Sequence, residues 1–176
     1  MKTHSLIQFV MVACLWLSGT LASHAQLSDS EWKTYERKSE AQLKEYKEQN
    51  PYLPFYQYEI KKIEFTVETF IASSFATASD MYASSLYEVQ SYDKLLNQYY
   101  KRLMSKMTPE QKEELRNVQR LWLKFYEKNT QSCAKMERIV NKDTGTLRFP
   151  VEMEGKANTL KYRVMELGWM ISYLKY

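Results

Sequence analysis

Glycine and proline, the residues that most readily end a helix, are scarce in this chain, with four of each in 176 residues. Gly19 lies in an apolar N-terminal run, which leaves only Gly145, Gly155 and Gly168 for everything that follows. Three of the four prolines, Pro51, Pro54 and Pro109, fall where a helix would start or stop. A chain so poor in turn formers has few places to break, and the expected fold class is all-α: a single-domain bundle of four or five helices.

The helix boundaries follow from local chemistry. Ser28 with Glu31 three residues on reads as a capping box, and a first helix runs from there to Asn50-Pro51. Its apolar positions, Trp32, Leu43 and Tyr46, are sparse among charges, so it is the helix least expected to pack tightly. After the extended Pro51–Pro54 linker, Ile60, Ile63, Val67, Phe70 and Ile71 recur at helical spacing up to about Ser74. Thr77 and Asp80 mark the next N-terminus, with Met81, Leu86, Val89, Leu96, Tyr100, Leu103 and Met107 carrying a third helix. Thr108-Pro109-Glu110-Gln111 is a further cap, with proline at the first helical position. The fourth helix reaches about Val140, with Leu115, Val118, Trp122, Phe125 and Met136 along one side. A loop from Asn141 to about Glu154 follows, and a last helix from about Val151 or Glu154 places Leu160, Val164, Leu167 and Ile171 on one stripe.

The first 25 residues read as an address. Lys2 precedes an apolar stretch from Leu6 to Leu21, and Ser23-His24-Ala25 supplies the small residues of a signal-peptidase site. The stretch is short and interrupted for a membrane anchor, and it continues past Cys14, where a lipoprotein terminus would turn polar. Export, to the periplasm or beyond, with no transmembrane segment after cleavage, is the expectation. The remainder, roughly 150 residues, is long enough to bury a core without metal or disulfide. Cys133 is then the one remaining cysteine, and it is read as a buried small apolar side chain ahead of an intermolecular bridge or a reactive thiol. The formal net charge of +4 is spread in mixed runs, such as Lys33 to Glu48, and gives no nucleic-acid stripe.

Several chemistries have no residues to run on. Both histidines, His4 and His24, lie in the leader, which removes Ser-His-Asp and Cys-His systems and zinc sites built on Cys and His. No glycine-rich phosphate loop exists, and no cofactor is expected. Adjacent or five-apart acids, such as Glu113 with Glu114 or Glu59 with Glu64, do not face one another on a helix. No catalytic residue is therefore assigned, and the chain is expected not to be an enzyme. Tyr92, Tyr99 and Tyr100 are read as half-buried core residues with wet hydroxyls.

From Thr77 onward four pieces occur in order: Thr77-Ala-Ser-Asp80-Met81, Asp93-Lys-Leu-Leu96-Asn97-Gln-Tyr-Tyr100, Leu115-Arg-Asn-Val-Gln119-Arg-Leu-Trp122-Leu-Lys-Phe125 and Arg163-Val-Met-Glu166-Leu167. Together they resemble the LprI-like lysozyme-inhibitor family, which divides the chain into a signal peptide (1–25), an N-terminal helical extension (26–76) and an LprI-like helical domain (77–176). The resemblance implies a scaffold built on Asp93, Leu96, Asn97, Tyr100, Gln119, Trp122, Phe125, Arg163 and Leu167. Trp122 and Phe125 would share the buried face, Gln119 would satisfy a buried polar group from Asn97 or the neighbouring backbone, and Asp93 would pair with Arg163. Family members carry paired cysteines, whereas Ser84, Thr130 and Lys156 stand at the expected places here, so this is a divergent member.

The resemblance further implies an exported protein-binding module that occupies the cleft of a lysozyme-type muramidase. Such clefts carry two acids, so Lys142 and Arg148 in the projecting loop are candidates for a partner-binding loop, beside the plainer reading that they keep the loop soluble. The alternative is a structural or housekeeping envelope protein that binds another partner through its N-terminal 50 residues.

Overall fold

The computed structural model describes residues 27–140 and 148–174, and six helices account for nearly all of them. In chain order these are α1 (Asp29–Lys38), α2 (Glu40–Gln49), α3 (Phe55–Ser73), α4 (Ala78–Lys106), α5 (Pro109–Val140) and α6 (Arg148–Tyr173). No strand occurs among the described residues.

The caps form as the sequence predicts. Ser28 and Glu31 close a reciprocal box at α1, and Thr77 and Asp80 close another at α4. At α5 the Thr108 amide donates to Gln111 Oε1 at 3.0 Å and the Gln111 amide to Thr108 Oγ1 at 3.3 Å.

Two boundaries differ from expectation. The first predicted helix is divided at Ser39, which is why the described residues form six helices rather than four or five. The Ser39 side chain is buried, donates to the Glu36 carbonyl at 2.9 Å and lies 3.3 Å from the Thr66 hydroxyl. Such back-bonding competes with the helical ladder and bends the chain where it docks on α3. The last helix begins at Arg148, earlier than expected, with Pro150 in its first turn, where a missing N–H is tolerated. Arg148 thus opens a helix rather than sitting within a loop.

The helices wrap the pair α4 and α6, which make the most extensive contact in the fold. Leu103 on α4 and Val164 and Leu167 on α6 are fully buried there. Helix α3 runs antiparallel to α6, since Tyr56 meets Gly168 and Glu64 meets Lys161. Helix α5 folds back after the Thr108 turn and packs chiefly on α6. Against expectation, the polar first helix contributes to the core. Trp32 is buried, stacked on Tyr87 with centroids 4.1 Å apart and edge-on to Phe70 at 5.0 Å.

The α3–α6 crossing depends on a missing side chain. A Cβ at Gly168 would lie 2.5 Å from Tyr56 Cβ and 2.6 Å from its Cγ, so the helix backbone approaches the ring root as only glycine permits. Gly168→Ala is expected to lower stability by about 1–3 kcal/mol through overpacking. Gly155→Ala meets nothing within 4 Å and should raise stability by up to about 1 kcal/mol through helix propensity. Urea denaturation of both variants checks the opposite signs.

Candidate functional site

The seam between α5 and α6 gathers most of the scaffold residues from the last two sequence pieces. Arg163 is buried, and its Nε and Nη2 donate to Gln119 Oε1 at 3.1 and 2.9 Å. Nη1 donates to Glu166 Oε2 at 2.8 Å, one turn along the same helix. The guanidinium lies 5.8 Å from the Trp122 ring centroid, and Trp122 stacks on Tyr126 at 5.3 Å with planes 15° apart. A planar, forked cation suits this place because it bonds a carbonyl, bonds a carboxylate and lies over an indole at once, which lysine cannot do. Leu167, one turn further along α6, is fully buried.

The seam differs from the sequence expectation in three ways. Gln119 does satisfy a buried polar group, but that group is Arg163 rather than Asn97. Asp93 does not pair with Arg163: it accepts from Asn97 Nδ2 at 3.1 Å within its own helix turn, and burial holds its carboxyl above the usual range. Phe125 does not share the buried face with Trp122. It is 57% exposed, as are Val118 and Met136 to a similar degree, and Trp122 itself is only partly buried. The inward stripe of α5 is Leu115, Gln119, Trp122, Tyr126 and Ala134.

The second piece builds a separate layer on α4. Leu96 is buried, Asn97 is held to the Asp93 carbonyl at 2.8 Å, and half-buried Tyr100 feels the charges of Arg116, Arg120 and Glu113 on α5. Tyr92 and Tyr99 are interior rather than half-buried. Tyr99 donates to Glu59, whereas the Tyr92 hydroxyl has no hydrogen-bond partner among the described residues. Cys133 is exposed, contrary to its reading as a buried apolar side chain. Lys142 lies outside the described residues, as does the Arg148 side chain.

A polar seam that sequence reasoning missed joins α3, α4 and α6. Glu64 receives both Lys61 and Lys161, and although burial pushes its carboxyl up, those hydrogen bonds hold it below the usual range. Glu88 faces this pair from α4. Burial first, and the Glu64 charge second, push it to about 7, against the opposing charge of Lys161. Nothing in the local sequence distinguishes Glu88 from other helix carboxylates, because the cause is tertiary. Between the ordinary value of 4.5 and about 7, the folded protein keeps a proton that the unfolded chain has released. The resulting penalty is absent below that window, grows as pH rises through it and is complete above it. Glu88→Gln should therefore leave thermal stability unchanged at pH 4 and raise it at pH 8.

No catalytic constellation assembles among the described residues. They contain no group of three His, Cys, Asp or Glu able to hold a metal, and no helix long and apolar enough to cross a membrane. A shallow depression lined by Gln42, Glu68, Thr69, Ala72 and Ser73 has both hydroxyls committed to helix carbonyls and Glu68 bonded by Gln42.

The family profile described as Lysozyme inhibitor LprI matches residues 71–167, more than half of the chain. The match spans the end of α3, all of α4 and α5, and α6 through Leu167, which includes the whole Gln119–Arg163 seam. The chain belongs to this lysozyme-inhibitor family. No curated protein and no solved structure matches it.

Proposed function

We propose that this chain is an exported cell-envelope protein that binds lysozyme-type peptidoglycan muramidases and inhibits them by occupying the cleft. Its membership of the inhibitor family over residues 71–167 carries this reading. The chemistry of the chain agrees with a role exercised by shape and charge. Its two histidines lie in the expected leader, and the buried Gln119–Arg163 seam is committed to holding α5 on α6 rather than to reaction. Lys142 and Arg148 are proposed as auxiliary charges toward the two carboxylates of such a cleft.

The alternative, a non-inhibitory envelope protein that binds through its N-terminal 50 residues, keeps only the second half of its first helix as a motive, because α1 is anchored in the core by Trp32 whereas α2 buries no residue. Titration calorimetry of the chain from Gln26 onward into purified animal lysozyme tests the proposal. A saturable one-to-one complex is expected, weakened by charge reversal at Lys142 and Arg148. Absence of heat and of a complex on a sizing column would refute the reading for that lysozyme class.

A further inference from the structure

Helix α5 is apolar on two sides, and its neighbours cover only one. Leu115, Gln119, Trp122 and Tyr126 turn inward. At about 100° per residue, Glu110, Glu114, Val118, Leu121, Phe125 and Lys128 fall together on the outer side, in a stripe about 80° wide. Val118, Leu121 and Phe125 are 44, 66 and 57% exposed, and the three charged residues are exposed as well. Single exposed apolar residues need no explanation, but three on successive turns with charges before and after them form an apolar centre with a polar rim.

The charges of this face are sorted along its length. Glu110 and Glu114 precede Val118, whereas Lys124, Lys128 and Lys135 follow Leu121, the first and last of these lysines at the edge of the stripe. All five are exposed, and none has an ion-pair partner among the described residues. The charges around them are already committed: Glu113 to Arg116 and Arg120, Glu166 to Arg163, and Glu127 to the Gln131 side-chain amide. An acidic first turn is ordinary at any helix start. That preference fades within one turn, however, and reaches neither Glu114 nor the lysines in the middle of the helix.

We propose that a second copy of this chain covers the outer face of α5, in an antiparallel two-fold pairing centred on Leu121. A closed two-fold interface sets residue i against j and j against i, so a patch that meets itself must be complementary end to end. About an axis beside Leu121, Val118 meets Phe125 of the other copy, Glu114 meets Lys128, and Glu110 comes within a lysine's reach of Lys135. Each of these contacts occurs twice. A register centred past Phe125 sets Lys124 against Lys128 and leaves the acids unmatched, so the charges select the register as well as the direction. The pairs Gln119–Arg163 and Asn129–Thr159 make α5 and α6 antiparallel. The half-exposed Trp169 and Tyr173 rings, 4.5 Å apart, therefore lie toward the Pro109 end of α5, where the C-terminal half of the other copy's α5 passes. An acidic cleft is the poorer occupant, because Glu110 and Glu114 would face its carboxylates. This pairing does not depend on the inhibitor reading.

Analytical ultracentrifugation of the chain from Gln26 onward, up to about 1 mM, tests the pairing. A monomer–dimer equilibrium is expected. L121D/F125D should weaken it about tenfold or more while helical circular dichroism stays unchanged, because both side chains are exposed. E110K/E114K makes the face basic throughout and K128E/K135E makes it acidic throughout. Each alone should weaken the dimer about tenfold or more at low salt, and the two mixed in equal amounts should form a one-to-one heterodimer that weakens as salt rises. Y52S, which removes an aromatic side chain 97% exposed elsewhere, should change nothing. A chain that stays monomeric throughout this range overturns the proposal, and so does a dimer that survives L121D/F125D. If the two charge variants do not pair when mixed, the antiparallel register falls. If the unaltered chain is monomeric and added lysozyme slows amide exchange over residues 114–128, the occupant is lysozyme and the second copy is ruled out.

Discussion

Trp32→Ala is expected to reduce unfolding free energy by about 3–5 kcal/mol, the range for emptying a buried indole site. The indole is the only buried side chain of α1, and three aromatic rings surround it: Tyr87 stacked on one face, with Phe70 at 5.0 Å and Tyr35 at 6.0 Å edge-on. Each such pair adds about 0.5–1.5 kcal/mol beyond area burial. Without the indole, α1 retains little more than its capping box and exposed charges, and it should fray from α3 and α4. Urea denaturation gives the loss, and amide exchange over residues 29–38 should accelerate selectively. A loss below about 1 kcal/mol would mean that the N-terminal helices are peripheral to the domain. Trp122→Ala, for which the sequence suggests the same 3–5 kcal/mol, should lose less, because that indole is only partly buried.

Gln119→Leu should be nearly as damaging, by about 3 kcal/mol, although it exchanges a polar side chain for an apolar one at a buried site. The reason is Arg163. Removing Oε1 leaves two guanidinium N–H groups without their acceptor at a buried position, and an uncompensated buried charge destabilises far more than the intact pair stabilises. Glu166 still holds Nη1, but it is largely exposed and cannot replace the lost acceptor. The double variant Gln119→Leu/Arg163→Met removes the charge together with its partner and should recover most of the loss. A double-mutant cycle measures this, and additive losses would show that the two side chains act independently.

Much of the fold is legible in the sequence because its signals are local. Ser28 with Glu31, Thr77 with Asp80 and Thr108 with Gln111 each satisfy orphan amides within three residues, so the helix starts can be read without knowing the packing. The α6 stripe of Leu160, Val164, Leu167 and Ile171 is equally plain, since all four residues are inward and apolar.

The phase of α5 is not legible, for a specific reason. That helix carries apolar residues on two flanks, and hydropathy favours Val118 and Phe125 as the inward pair. What turns the helix the other way is polar: Gln119 is drawn inward by Arg163, 44 residues away in sequence. The division of the first helix at Ser39 depends likewise on Thr66, and the environment of Glu88 on Glu64 and Lys161. In each case the deciding group lies on another helix, where no local pattern records it.

The tyrosines and the exposed flank of α5 follow the same rule. Tyr92 and Tyr99, read as half-buried with wet hydroxyls, are interior, while Val118 and Phe125, read as inward, look outward.

The most direct measurement is lysozyme turnover on a suspension of bacterial cell walls, followed by turbidity, as the chain from Gln26 onward is titrated in. The inhibitor reading predicts that clearing slows with added protein and stops near one equivalent when lysozyme exceeds the dissociation constant, with more wall substrate needed to restore it. Unchanged clearing at a large excess of folded protein would contradict it.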